Sequence, residues 1–597
     1  MPEYLAPLAD MQFVLDELVD LKDIGQLPGY EDATSDVVRE ILNEASKVAT
    51  GVLSPLNRVG DKQGSLWREN GVATPEGWRE AYRQFSESGW TSLSCDAAIG
   101  GQQMPHVVSA LVEEMWNGAN MAFALCPLLT RSAVDAIDLS ASDILKKRFL
   151  PKMVSGEWTG TMVLTEPQAG SDLGAVRTRA VKSSDGSYRL DGQKIFITYG
   201  EHDLTENIVH MVLARTPQAP AGVRGISMFL VPKVLVNENG SLGARNDVRC
   251  VSIEHKLGIH ASPTCVLAFG ASGGALGYLV GEEGRGLEYM FIMMNAARFS
   301  IGVQGIGIAE RAYQQARAYA RERVQGRTSG AQGQAGTSIV GHADVRRMLM
   351  LMKSQIEAMR ALACVVAAAM DRAHLEPDAD ERRRQQAFVD LMIPVVKGWC
   401  TESSVELTSL GIQIHGGVGY VEETGAAQHF RDARITTIYE GTTGIQANDL
   451  VARKLARGGY ETLKRLIAEM KAADSELLER DALLRPARRP YQLAVSSLEV
   501  AANHLASCQG TRPNDAAAGA APFLRLLGIT AGGWQMMRAA AASIRRADAA
   551  GKRDDFLQSK IATARFYADH LLSQVPGLAH AVVQGAQAAA AVVDDQL

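Results

Sequence analysis

A single carboxylate, Glu440, sits in "ARITTIYEGTTGIQ" at residues 433–446, between Tyr439 and a Gly-Thr-Thr-Gly turn. Ile438 and Tyr439 before it can shield the carboxyl from water, which raises a carboxyl pKa towards neutrality and makes it a better proton acceptor. Gly441 after it lets the backbone pass close to a ligand. Most loop acids are simply solvated, so the residue types alone leave both readings open. Three more stretches draw the eye: "TMVLTEPQAGSDLGAVRTRA" at 161–180, "GQKIFITYG" at 192–200 and "QIHGGVGY" at 413–420. Read singly, they are a strand with a Gly/Ser/Asp turn, a core strand, and a turn between helices.

Positioning such groups requires a scaffold, and the chain changes texture three times. From about residue 35 to 155, apolar residues recur at helical spacing, as in "VVREILNEASKVATGVL". Between 160 and 281 short strands alternate with turns, and the Asp191-Gly192 pair in "SYRLDGQKIFITYG" signals a hairpin. Helices return at Leu287, followed by a glycine-rich loop over 325–341 and another long helix. Past residue 456 two further amphipathic helices are expected, set off by a surface loop in "CQGTRPNDAAAGAAPF". The apolar "FLRLLGITAGGWQMM" is expected to bury against the main body rather than to meet a membrane. The expected fold is α+β and multidomain. It comprises an N-terminal extension (1–35), a helical domain (36–159), a barrel-like or sandwich β-domain (160–282), a four-helix bundle (283–455) and an extra C-terminal helical domain (456–597).

Composition removes other classes. With 597 residues the chain is too long for one core. Its net charge of -6 argues against a nucleic-acid partner. No GxxxxGK[ST] loop, GxGxxG fingerprint, GxSxG elbow, HExxH pair or His–Cys zinc spacing occurs. The seven cysteines never form CxxC, which points to buried, reduced thiols with no metal site and no disulfide frame. An acidic N-terminus without a basic n-region does not read as a signal peptide, and no apolar run approaches roughly 18 residues, so a cytoplasmic protein is expected.

Taken in order within that helical–β–helical frame, the four stretches resemble the acyl-CoA dehydrogenase family, flavoenzymes that desaturate acyl-CoA thioesters. The resemblance spans residues 35–455, and the extra C-terminal domain is similar to the long bacterial branch that includes 3-methylmercaptopropionyl-CoA dehydrogenases. It implies FAD as cofactor and an acyl-CoA as substrate. Electron-transfer flavoprotein is the implied oxidant, and the implied assembly is a homodimer acting in fatty acid β-oxidation.

Residue by residue, the resemblance places Met162, Val163, Leu164 and Thr165 along the isoalloxazine ring, with Ser171 near the pyrophosphate and the acyl-CoA. Small Ala169 and Gly170 leave room for that approach. Phe196 and Thr198 match the positions that cover the flavin edge; the family usually has Trp where Phe196 stands. Arg323, Gln413, Gly416 and Gly417 match residues that reach the FAD of a neighbouring subunit, although the usual R-x-x-F-G spacing is not kept. Asn295 and Arg298 match the acyl-CoA channel, Thr442 a flavin contact and Gly441 a substrate contact. Glu440 matches the catalytic base. Some relatives place that base on the earlier helix, where this chain has Ala297, which cannot take a proton.

An acyl-CoA oxidase using oxygen, a non-catalytic acyl-CoA-binding flavoprotein and a purely structural helical assembly stay open. Met290, Phe291, Met293 and Met294 suggest a shortened or adaptable acyl pocket, but methionine also fills cores.

Overall fold

The computed structural model describes residues 4–69, 71–327, 336–477, 482 and 484–596. Residues 328–335 of the expected glycine-rich loop, and the first three of the expected N-terminal extension, lie outside them. The chain forms two compact units. A sheet unit holds Lys47–Met104 and Ala119–Ser300; a helical unit holds the residues up to Ser46, Pro105–Gly118 and those from Ile301 onward.

This division cuts through the helical segment expected at 36–159. The helix His106–Ser140 is broken at Asn120 (φ −161°, ψ 88°), whose Oδ1 accepts from the Phe123 N–H at 3.1 Å and caps the downstream half. The upstream half is capped inside the helical unit by Asp371, which accepts from the N–H groups of His106 (2.7 Å) and Val107 (3.2 Å). Burial raises the Asp371 carboxyl to about 7 against those bonds and one from the Tyr30 hydroxyl.

The sheet unit is built on one eight-stranded mixed sheet. In space its strands run Val248–Ile253, Thr264–Phe269, Tyr188–Thr198, Ala275–Val280, Ser227–Pro232, Asn207–Ala214 and Trp158–Val163, with Arg179–Lys182 also paired to Tyr188–Thr198. Only Trp158–Val163 and Asn207–Ala214 pair in parallel. Those two strands and Ser227–Pro232 are buried at every residue, so they read as continuous runs rather than alternations. The hairpin expected at Asp191-Gly192 falls elsewhere. Tyr188–Thr198 runs straight through that pair, and the turn lies at Asp185-Gly186, where Asp185 Oδ1 accepts from the Ser187 N–H at 3.0 Å and Gly186 takes φ 85°. Gly192 serves close strand approach instead, since a Cβ there would meet Thr178 Oγ1 at 2.5 Å.

The helical unit packs Ala343–Leu375 and Ala379–His415 against Pro513–Ala550. The last of these starts within the segment expected to be a loop; only 509–512 connects Arg485–Cys508 to it. Pro513 opens the helix where its missing N–H costs nothing, and the alanines after it carry high helix propensity. The C-terminal segment shares the core of its unit: Phe523, Leu526 and Leu527 are fully buried, and Gly528 and Gly532 let this helix press onto Trp399. A buried charge cluster ties distant segments together. Arg360 contacts Asp10 (2.6 Å), Glu114 (2.6 Å) and Glu310 (2.9 Å), and Lys560 contacts Asp10 (2.6 Å) and Glu357 (2.8 Å).

The helix Gly286–Glu322 is long and apolar enough to cross a membrane by length and composition, beyond what the sequence suggested; 67% of its most apolar window is buried inside the protein. Of the seven cysteines, six are buried and Cys250 is half-buried.

A Cβ at Gly528 would lie 2.3 Å from Trp399 Cγ. Gly528→Ala is therefore expected to destabilise the protein by about 1–3 kcal/mol, read as a lower thermal midpoint, whereas Gly585→Ala, on a helix with open space around its Cβ, should leave the midpoint unchanged or slightly raised.

Candidate functional site

The expected site residues fall into two groups, one on each unit. On the sheet unit, Met162 and Val163 close the buried strand Trp158–Val163, and Leu164 and Thr165 continue it half-buried. The chain then folds into a tight turn in which Glu166 and Ala169 exchange backbone bonds of 3.0 and 2.9 Å. This turn is pinned to Tyr188–Thr198. The Ile195 N–H donates to Thr165 O at 2.9 Å, and the buried Lys194 donates to Leu164 O at 2.8 Å while pairing with Glu166 at 2.9 Å. Glu166 also accepts from the N–H groups of Arg177 (2.8 Å) and Thr178 (3.0 Å) and from Thr178 Oγ1 (2.6 Å). Burial pushes its carboxyl up, but Lys194 and these donors outweigh it and hold the pKa at about 2. Burial draws Lys194 down to about 8 despite its partner.

Phe196 stands where that strand bulges. Ile197 pairs with Cys265 and Lys194 with Leu267, so Ile195 and Phe196 together face Val266. Phe196 takes φ 60° and is 59% exposed. A phenylalanine at positive φ costs on the order of 1–3 kcal/mol, and exposing its ring forgoes burial; both at one residue mark a place built for a ligand. Thr198, half-buried, pairs with Thr264 at the end of the strand. Ser171 is exposed, and Gly170 has open space where a Cβ would be. Exposed main chain from the turn beside an exposed aromatic ring suits a flat, polar cofactor such as a flavin.

Asn295, Ala297 and Arg298 lie on Gly286–Glu322. Ala297, Met290 and Met293 are fully buried in one core with Trp158, Met162, Leu128 and Leu129, and Met294 packs against it half-buried. Arg298 is 3% exposed and Asn295 half-buried.

On the helical unit, Arg323, Gln413, Gly416 and Gly417 gather at one end and are all exposed. Arg323 follows the last turn of Gly286–Glu322, Gly416 (φ 64°) ends Ala379–His415, and Tyr319 stacks on His415 with ring centroids 4.5 Å apart, joining the two helix ends. Glu440 lies elsewhere on the same unit. It takes φ 56° in the turn after residue 437, with Gly441 at φ 90° behind it, and is half-buried. Tyr439 donates to Gln304, Gln446 Nε2 donates to the carbonyls of Glu440 (3.1 Å) and Gly441 (3.2 Å), and Lys397 Nζ donates to Gly441 O at 2.7 Å. Thr442 caps the next helix by accepting from the Ile445 N–H at 3.3 Å, and Thr443 donates to Glu402. Lys397 marks one turn of Ala379–His415; the helix ends at His415, eighteen residues further on, about 27 Å along the axis.

Sequence reasoning passed over Glu166, Lys194, Lys397, Gln304 and Gln446. A signal existed for Lys397, the one charged residue in "MIPVVKGWC", and for Lys194 within a strand that is otherwise apolar on its inner face.

Four family models match in order. They are the acyl-CoA dehydrogenase N-terminal domain at residues 40–157, middle domain at 161–271 and C-terminal domain at 284–455, and an acetyl-CoA dehydrogenase C-terminal-like domain at 463–592. A 3-methylmercaptopropionyl-CoA dehydrogenase from Ruegeria pomeroyi is 47% identical over 95% of this chain and 96% of its own length. A butyryl-CoA dehydrogenase from Syntrophomonas wolfei is 35% identical over 96% and 95%. The acyl-CoA dehydrogenase from Bacillus anthracis solved in complex with FAD covers 96% of this chain and 91% of its own with a TM-score of 0.74; at 20% identity this speaks for the fold. With its domains matched in sequence and a relative this similar along nearly its whole length, the chain belongs to the acyl-CoA dehydrogenase family of FAD-dependent oxidoreductases.

Proposed function

We propose that this protein desaturates a short acyl-CoA thioester between its α and β carbons, with Glu440 as the base. The observation that carries the assignment is the Glu440 turn, where a half-buried carboxylate is held at positive φ by side chains fixed on two other elements. FAD, when bound, supplies the hydride acceptor. The α C–H bond breaks, its proton passes to a Glu440 carboxylate oxygen and its electron pair forms the new double bond as the β hydrogen departs with its own pair as a hydride, which the bound cofactor would accept. Ala297 offers no competing base on the earlier helix. On the sheet unit, the Leu164–Thr165 main chain and the Phe196 ring hold and cover the cofactor, pinned from behind by Lys194 and Glu166.

Gln413, Gly416 and Gly417 stand roughly 24–30 Å along one helix from the Lys397 turn, and Arg323 follows a second helix that ends beside theirs, too far to serve the reacting end of the same cofactor. They serve the FAD of a second copy, which makes the protein a homo-oligomer, and a dimer is the simplest closed form. Met290 and Met293 fill the interior beside Met162, which supports a short acyl chain, as in the substrates for which the two relatives above are named. Electron-transfer flavoprotein reoxidises the cofactor in this reading.

Glu440→Gln should retain FAD and acyl-CoA binding yet bleach the flavin about 10²–10⁴ times more slowly in anaerobic stopped-flow; bleaching at the parent rate contradicts the assignment. In a panel of acyl-CoAs, 3-methylmercaptopropionyl-CoA and butyryl-CoA should exceed palmitoyl-CoA in kcat/KM by about tenfold or more, the discrimination available to a filled apolar pocket. A preference for palmitoyl-CoA would overturn the short-chain reading, and rapid peroxide formation in air would replace the flavoprotein oxidant with oxygen.

A further inference from the structure

We infer that Lys397 is a positioning residue for the proton acceptor: its ammonium, held on the Gly441 carbonyl, fixes the turn that aims the Glu440 carboxylate. The inference rests on the reading of Glu440 as the base. Lys397 is 0% exposed, within a stretch of Ala379–His415 that is buried at every residue from Leu391 to Thr401. Burying an ammonium among apolar side chains is costly, so the position is occupied for what the charge reaches. It reaches Gly441 O at 2.7 Å, the carbonyl one residue after the base.

That carbonyl needs holding. Glu440 (φ 56°) and Gly441 (φ 90°) are consecutive left-handed residues, a conformation that a glutamate adopts only under constraint. Two side chains supply it: Lys397 from one side, and Gln446, also 0% exposed, which donates to both carbonyls. The fit between them is tight, since a Cβ on Gly441 would come within 2.8 Å of Gln446 Nε2. Turning both carbonyls onto these donors fixes the direction in which the Glu440 side chain leaves the backbone. Lys397 adds something Gln446 cannot. Its ammonium, bonded to the carbonyl next to the base, would also favour the ionised carboxylate, the form that accepts a proton.

The two contributions can be separated by Lys397→Met, which removes donor and charge, and Lys397→Gln, which keeps a donor. Hydrogen exchange by mass spectrometry on the peptide spanning residues 439–443 should quicken in Lys397→Met and return towards the parent in Lys397→Gln. With saturating butyryl-CoA, flavin bleaching should slow by about 10²-fold in Lys397→Met at unchanged FAD content and nearly unchanged KM. Loss of the cation should move the rising limb of the pH–rate profile upward in both variants. A parent-like rate and limb in Lys397→Met overturns the inference. So does a rate loss that only tracks lost FAD, with exchange and limb unchanged, because that is a packing defect. If Lys397→Met does not fold, Lys397→Gln carries the pH arm and Gln446→Met the exchange arm. Parent-rate bleaching in Glu440→Gln would instead sink the base assignment itself, whatever Lys397 does.

Discussion

Glu440 occupies a backbone conformation in which its own side chain is crowded, and the surrounding packing holds it there. Gly441 continues the left-handed course, Thr442 starts a new helix at once, and Lys397, Gln446 and Gln304 grip the three residues from the Tyr439 hydroxyl to the Gly441 carbonyl. Each of those side chains stands on a helix, so the turn inherits the rigidity of the bundle. A carboxylate on a mobile loop would leave the backbone in no fixed direction; this one stands half-buried on a fixed turn. Phe196 shows the same logic on the sheet unit, where a bulge and a positive φ turn an aromatic ring outward. In both places local strain is offset by packing elsewhere.

The helical unit obtains its rigidity from an unusual source. Arg360 and Lys560 are buried with Asp10, Glu114, Glu310 and Glu357, carried on segments from the first helix to the C-terminal region. A buried ion cluster adds little net stability over an apolar replacement, but removing one member strands the others at a cost of about 3–5 kcal/mol. It therefore acts as a registration device. Together with Gly528 and Gly532 against Trp399, it makes the C-terminal helices part of the core that carries Lys397 and Glu440.

Much of this was legible in the sequence, for identifiable reasons. Helical and alternating periodicities gave the order of helical, β and helical segments because burial repeats at 3.6 and 2 residues. Turn chemistry was less secure. Two Asp-Gly pairs lie six residues apart, and only tertiary contact tells them apart: Gly186 turns the chain, while Gly192 makes room for Thr178. The run before Phe523 reads as a loop from its Pro, Asn and Asp, yet its alanines carry the helix back to Pro513. The division between units was hidden because one helical run is broken at Asn120 and its upstream half is capped by Asp371, 265 residues away. For the proposed site, Glu440 and the stretch from Met162 to Ser171 were visible as motifs. Lys194 and Lys397 were not, because a buried lysine's meaning lies in a carbonyl 30 or 44 residues distant.

The central claim is that Glu440 takes the α proton, and proton traffic at the α carbon tests it without reference to electron acceptors. The protein would be incubated anaerobically in D2O with butyryl-CoA, and the recovered thioester analysed by mass spectrometry. Deuterium wash-in at the α carbon is expected from the parent, and none above the enzyme-free background from Glu440→Gln. Wash-in by Glu440→Gln at the parent rate would contradict it.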